Sequence, residues 1–276
     1  MITEEFNAPG AMHRLTSDGF LLVSIPNNTR TVIDSTFRNG SAFFHQASEA
    51  KITSSLAGNL GFRTYGVEYS TTPERPDQME SFSVSQNCAD RLSRLPNVKG
   101  RSLASEMSNA LELFASVATS LIKSLAQFFG QDSDRLSNSL LDWSILQLNY
   151  SRPFQANGQY VNEVHEDGCL LTIISVTGHG LEIQRSSGSF TPITPSHDQL
   201  LILPGEILYL LTAGLIKPCY HRVNALNYLP ERMSLVLFAD FDPNLCDAWV
   251  TGDVNRGLNI GERVIKNPLR FLRTNS

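Results

Sequence analysis

The residues of this chain that could do chemistry lie in its second half. His165-Glu166-Asp167 spells H-x-D immediately before an apolar run at 169–176. In an extended strand, residues two apart share a face, so His165 and Asp167 are expected to point into one cavity and Glu166 away from it. His221 follows far downstream in a second strand-like run, Cys219-Tyr220-His221-Arg222-Val223. Two imidazoles and one carboxylate on one side of a metal, with the other positions open, form the facial set of non-haem Fe(II) centres that use dioxygen. Imidazole suits Fe(II) and one hard carboxylate offsets part of its charge, whereas a fourth protein ligand would close the site. Any single histidine is more often an ordinary core or surface residue. The ordered set in strand context is what points to a metal.

Arg232-Met233-Ser234 opens the next strand-like run, 232–240. By the same alternation Arg232 and Ser234 share a face. A guanidinium beside a hydroxyl close to a metal is suited to grip a carboxylate, here the distal carboxylate of a 2-oxoacid that chelates iron through its other end. Cys169 and Cys219 flank the metal candidates, yet the ordinary buried thiol is the better reading for both. Arg63, Tyr65 and Phe82 are candidates to line a substrate pocket, with surface loop and core roles as the plainer readings.

The positioning elements follow from pattern. Segments 144–150, 168–176, 181–185, 198–203, 206–212, 219–226 and 232–240 read as short strands punctuated by Gly178, Gly180, Ser187-Gly188, Pro204-Gly205, Gly214 and Pro230. Many short strands separated by turns predict a sandwich or jelly roll. Upstream, Gly19–Ser24 predicts a strand, and Ile33, Phe37, Gly40, Phe44 and Ala47 one face of a helix. Leu103, Met107, Leu111, Phe114, Val117, Leu121, Leu125 and Phe128 predict a long scaffold helix over 101–129 ending at Gly130. Residues 52–100 read as irregular. The expected class is α+β with a mainly β core flanked by helices. A single domain is expected over 1–276: a helix-rich part at 1–140, a jelly-roll core at 141–242, and a tail with a last helix near 259–273.

Composition narrows the function. With 22 basic and 27 acidic residues the net charge is −5, which argues against a nucleic-acid binder needing a basic stripe. Residues 1–15 carry Glu4, Glu5 and Pro9 and no apolar core, so no secretory leader is expected. The apolar stretch 200–216 is interrupted by Pro204, Gly205 and Glu206, so no membrane span is expected and it reads as two strands around a turn. Cys88, Cys169, Cys219 and Cys246 form no C-x-x-C pair, which disfavours zinc ribbons and disulfide scaffolds and fits a reducing, cytoplasmic setting. No phosphate-binding loop, H-E-x-x-H or G-x-S-x-G element appears.

Taken in order, Val164-His165-Glu166-Asp167, Leu170-Leu171-Thr172, Gly180-Leu181-Glu182-Ile183-Gln184, Leu203-Pro204-Gly205-Glu206, His221-Arg222-Val223 and Arg232-Met233-Ser234 resemble the isopenicillin N synthase-like branch of the 2-oxoglutarate/Fe(II)-dependent dioxygenase superfamily. The resemblance implies a distorted double-stranded β-helix, Fe(II) on His165, Asp167 and His221, and 2-oxoglutarate on Arg232 and Ser234, with O2 as the oxidant. Where the family often has Asn-x-Tyr, this chain has Asn149-Tyr150-Ser151; either Tyr150 or Ser151 takes the place of the tyrosine that touches the co-substrate. The function implied is hydroxylation, desaturation or cyclisation of a small molecule, in keeping with natural product biosynthesis. An oxidase of the isopenicillin N synthase type, working without 2-oxoglutarate, shares the same motifs. A non-catalytic jelly-roll binding protein is the third reading.

Overall fold

Polar and apolar residues alternate along the strands of this chain, and that alternation sorts them between two interfaces. The computed structural model describes residues 6–58, 60–132, 134–152, 159–185, 187–225, 231–245 and 247–266. The strands in chain order are β1 (Leu21–Ser24), β2 (Ser55–Leu56), β3 (Leu60–Arg63), β4 (Glu80–Val84), β5 (Ile145–Ser151), β6 (Tyr160–His165), β7 (Leu171–Val176), β8 (Leu181–Gln184), β9 (Phe190–Pro192), β10 (Gln199–Pro204), β11 (His221–Asn224) and β12 (Arg232–Ala239). The helices are α1 (Ala8–Ser17), α2 (Asn27–Phe44), α3 (Ser48–Ile52), α4 (Ala89–Ser93), α5 (Val98–Phe128), α6 (Asp134–Trp143), α7 (Glu206–Leu211) and α8 (Ile260–Lys266). Eight strands form a sheet in the order β1-β10-β7-β12-β5-β4-β3-β2, and four form a second in the order β6-β11-β8-β9. All recorded pairings are antiparallel. The two sheets facing each other make a double-stranded β-helix.

One face of the large sheet meets the helices. Leu146, Leu148 and Tyr150 of β5 and Leu235 and Leu237 of β12 join one core with Phe43 and Phe44 of α2 and the buried stripe of α5. The other face meets the small sheet across a second core of Ile174, Val236, Leu201, Leu203, Leu181, Ile183 and Val223. α5 carries the predicted apolar stripe and starts three residues earlier than the periodicity indicated. Asn97 caps it, its side chain accepting from the Gly100 amide at 3.0 Å. Gly40 of α2 lies where a Cβ would come within 2.4 Å of a Leu148 methyl, so the glycine sets how closely this helix approaches β5.

Three expectations are corrected. Segment 206–212 is not a strand: Glu206 to Leu211 form α7. Leu and Tyr runs of this length fit either state, and the acidic first turn with Gly205 before it favours the helix. Residues 52–100 are not uniformly irregular, since β2, β3 and β4 extend the large sheet there. The polar residues Ser81 and Ser83 that disguised β4 all lie on one face. Third, Asp167 is not on a strand; β6 ends at His165 and the chain turns. The helix expected near 259–273 is observed as α8, and its remainder, like Cys246 and Pro230, lies outside the described residues.

That turn is held from below by α7. The amides of Gly205, Glu206 and Ile207 donate to the carbonyls of Leu170, Asp167 and Cys169 at 3.2, 2.9 and 3.1 Å. Amides in the first turn of a helix have no partner within it, and here the turn bearing Asp167 supplies the acceptors. A Cβ on Gly205 would lie 2.1 Å from the Cys169 carbonyl oxygen and 2.8 Å from that of Asp167. Gly205→Ala is therefore expected to destabilise the fold by about 1–3 kcal/mol, the usual cost of overpacking, read by urea denaturation.

Candidate metal centre and its cavity

The register of the small sheet sets His165, the last residue of β6, directly opposite His221, the first of β11. Their rings lie 4.3 Å apart between centroids. The turn after β6 brings Asp167 beside both, with Oδ1 3.8 Å from His165 Nε2 and Oδ2 3.6 Å from His221 Nε2. One ligand atom from each residue lies within 4.8 Å of the others. The Nδ1 atoms sit 2.6 Å from the Glu163 carbonyl and 3.0 Å from the Cys219 carbonyl. Those contacts place the ring proton on Nδ1 and leave Nε2 of each imidazole as a lone-pair donor toward Asp167. Burial, followed by the neighbouring His165, pushes the His221 imidazole below its ordinary pKa, so it stands neutral and ready to ligate. Thr172 of β7 donates its hydroxyl to Asp167 Oδ2 at 2.5 Å, fixing the carboxylate's rotation. Two neutral imidazoles and one anion fit Fe(II) and leave half of an octahedral sphere for other ligands.

Arg232 and Ser234 face the same cavity from β12, one layer across. Arg232 is 3% exposed, donates through Nε to the His179 carbonyl at 3.0 Å and through a terminal nitrogen to Ser234 Oγ at 3.3 Å. Burial lowers its pKa to about 10. Among the described residues no carboxylate pairs with it. A cation this deeply desolvated needs an anion, and the space in front of it opens toward the metal cluster.

The register sends Tyr150 and Ser151 to opposite faces, and neither borders the cavity. Tyr150 pairs with Met233 and faces the helices, its ring stacked on Phe44 at 4.8 Å and its hydroxyl donating to Glu231 at 2.6 Å. It does not line the cavity. Ser151 pairs with Arg232 and shares its face, and its buried Oγ has no hydrogen-bond partner. Phe82 is fully buried against Phe43 on the helix side. Tyr65 is half exposed and donates to Gln78. Arg63 sits one layer behind the cavity wall, bonded to Ser81 and Ser83 and ion-paired with Glu68 at 2.8 Å.

The cavity, about 220 Å³, is closed by residues that the motif pattern did not single out: Glu68, Ser70, Asp77, Gln147, Asn149 and Asn162. Gln147 and Asn149 were legible in principle as polar residues alternating with Leu146, Leu148 and Tyr150 in β5. Asp77 and Glu68 come from a segment without periodicity and carried no such signal.

Residues 143–240, which hold every residue of this cluster, match the family model of the 2OG-Fe(II) oxygenase superfamily. No curated protein matches the chain in sequence. Among solved structures the chain is similar to a full-length Neurospora crassa protein in complex with alpha-KG, at TM-score 0.75 and 19% identity over 94% of this chain and 88% of that one. The same Neurospora crassa protein in complex with alpha-KG and thymine gives 0.74 and 20%, over 94% and 89%. The Arabidopsis thaliana dioxygenase for auxin oxidation 1, in its 2-oxoglutarate complex, gives 0.69 and 19%, over 87% and 90%. The match over residues 143–240 and the fold shared with 2-oxoglutarate-bound structures support a 2-oxoglutarate/Fe(II)-dependent dioxygenase, a class that works with Fe(II), 2-oxoglutarate and O2. Among the described residues no helix is long and apolar enough to cross a membrane.

Removing the Thr172 hydroxyl frees the carboxylate that bridges the two imidazoles. Thr172→Val is expected to weaken Fe(II) or Mn(II) binding about tenfold or more, as loss of an orienting contact does, and Thr172→Ser to restore it, both read by anaerobic metal titration.

Proposed function

We propose that His165, Asp167 and His221 hold Fe(II), that Arg232 with Ser234 holds the distal carboxylate of 2-oxoglutarate, and that the chain hydroxylates, desaturates or cyclises a small molecule. The observation that carries this reading is the buried guanidinium of Arg232, without a carboxylate partner among the described residues, in the cavity of the His-Asp-His cluster. An oxidase that works without the co-substrate could match the same guanidinium with a carboxylate of its substrate, so the dependence of turnover on 2-oxoglutarate separates the two.

When bound by these residues, Fe(II) and 2-oxoglutarate would supply the oxidising chemistry of the class. The chain supplies the rest. The carbonyls of Glu163 and Cys219 keep both imidazoles in the ligating tautomer. Thr172 holds Asp167 in one rotamer. Arg232 acts in a desolvated layer where an ion pair is stronger than in water, and the unbonded Ser151 hydroxyl lies beside it on the same face. Ile174, Leu181, Val223, Val236 and Phe238 form the water-excluding side of the cavity.

A cavity of this size supports a small substrate, and the related fold of the Neurospora crassa protein in complex with thymine supports the same class. The H-x-D and R-x-S spellings support placement in the isopenicillin N synthase-like branch, and analogy with that branch supports a role in natural product biosynthesis. Arg232→Met is expected to raise the Kd for 2-oxoglutarate at least thirtyfold, about 2 kcal/mol or more for loss of a buried charge pair. Calorimetric titration into the Fe(II)-loaded protein under argon reads it, with succinate release in air as the second measure. An unchanged Kd would remove Arg232 from the co-substrate site, and absence of Fe(II)-dependent succinate formation in the wild type would remove the reading altogether.

A further inference from the structure

The cavity contains a second buried charge without a counter-ion among the described residues, opposite in sign to Arg232. Asp77 is 5% exposed and lines the cavity. Its backbone is fixed on both sides: its amide donates to the Glu68 carbonyl at 2.8 Å, and that of Gln78 to the Val161 carbonyl on β6 at 2.8 Å. Its carboxylate accepts from the Ser70 amide at 3.2 Å and the Ser70 hydroxyl at 2.8 and 2.9 Å, and the Asn162 side-chain amide also favours its charged form. Those are neutral donors, and a carboxylate with about four acceptor positions keeps capacity beyond them. Among the described residues no Lys or Arg pairs with it, and the imidazole that attracts it across the cavity, His165, is one of the proposed metal ligands. Glu68, the neighbouring carboxylate, is already matched by Arg63 and by the Gln147 amide at 2.9 Å. Glu166 also borders the cavity but is half-buried and reaches the outer surface as well.

With a divalent metal, the dianionic co-substrate, Asp167 and Arg232 in place, the metal end of the cavity is electrically balanced. Asp77 then remains as the uncompensated charge on the side left for substrate. Burying a lone carboxylate is costly unless a partner arrives. Beside the polar Ser70 and Asn162, the wall also offers an apolar surface of Met79, Leu181, Val223 and Val236.

We propose that Asp77 is the substrate-recognition residue and that the substrate is a small molecule joining an apolar body to a protonated amine, which Asp77 binds. This rests on the oxygenase reading for the side of the cavity that remains free, and it names the substrate class for that site. Burial, the largest influence on Asp77, raises its pKa, and a bound ammonium would lower it again.

A matched set of probes tests it: phenethylamine, its neutral alcohol 2-phenylethanol, and phenylacetate. Binding is measured by ligand-detected NMR and calorimetry on protein loaded with Fe(II) and 2-oxoglutarate under argon, and for the amine and alcohol on metal-free protein too. The amine is expected to bind the wild type about tenfold or more tightly than the alcohol, the gain of a charge-assisted hydrogen bond, with phenylacetate weakest. Asp77→Asn keeps an acceptor for Ser70 and removes the charge, so the amine-to-alcohol ratio should fall to about one. Equal or tighter binding of the alcohol or phenylacetate by the loaded wild type, no saturable amine binding at millimolar concentration, or an undiminished ratio in a folded Asp77→Asn would each overturn the proposal. The wild-type comparison stands without the variant. Failure of Fe(II) and 2-oxoglutarate to bind in the parallel titration counts against the oxygenase reading, while amine selectivity in metal-free protein speaks to Asp77 alone.

Discussion

Everything in this molecule's site depends on placing charged and ligating groups where water is scarce without leaving the chain's own polar groups unsatisfied. Two imidazoles, four carboxylates and a guanidinium border one small cavity between two sheets. Each is expensive to bury alone. The fold meets that demand with backbone: carbonyls accept the imidazole protons and the Arg232 Nε proton, and the amides at the start of α7 donate to the carbonyls of the turn that carries Asp167. The remaining charge is left to be matched by ligands, which gives the cavity its capacity to bind.

The two-sheet arrangement makes this possible because strand pairing is rigid and its parity strict. On β12, Arg232, Ser234, Val236 and Phe238 face the cavity, while Met233, Leu235 and Leu237 belong with the helices. A slip of one residue would exchange the two sets and put a guanidinium into the core beneath α5. Pairing of β12 with both β5 and β7 over nearly its whole length fixes that register from either side. The helix layer matters to the site indirectly. By burying the outer face of the large sheet it keeps the face that carries Arg232 and Ser234 toward the small one.

α7 shows how a segment that touches no ligand shapes the centre. It sits behind the metal turn, and Arg263 of α8 grips its first residue, Glu206, at 2.5 and 2.9 Å. Gly205 allows backbone to lie against backbone at that point, so the Asp167 carboxylate is aimed by main-chain contacts as well as by Thr172.

Residue type and spacing were enough to mark His165, Asp167, His221, Arg232 and Ser234 as a set, because ligand chemistry restricts which side chains can serve and strand alternation restricts which can share a face. The long amphipathic α5 and most strands of the jelly roll were legible for the same reason, since burial on one face imprints a period on the sequence. What the sequence could not decide was anything set by pairing between distant segments. His165 and Asp167 converge through a turn, not along a strand; Ser151 rather than Tyr150 shares the face of Arg232; and 206–211 is helical, although its apolar run fits a strand as well. Asp77 and Glu68 reach the cavity from an aperiodic segment whose place is fixed by single hydrogen bonds to β6 and by Arg63. Register and long-range hydrogen bonding couple residues far apart in the chain, and such couplings leave no local period to read, so only the tertiary structure could bring them to light.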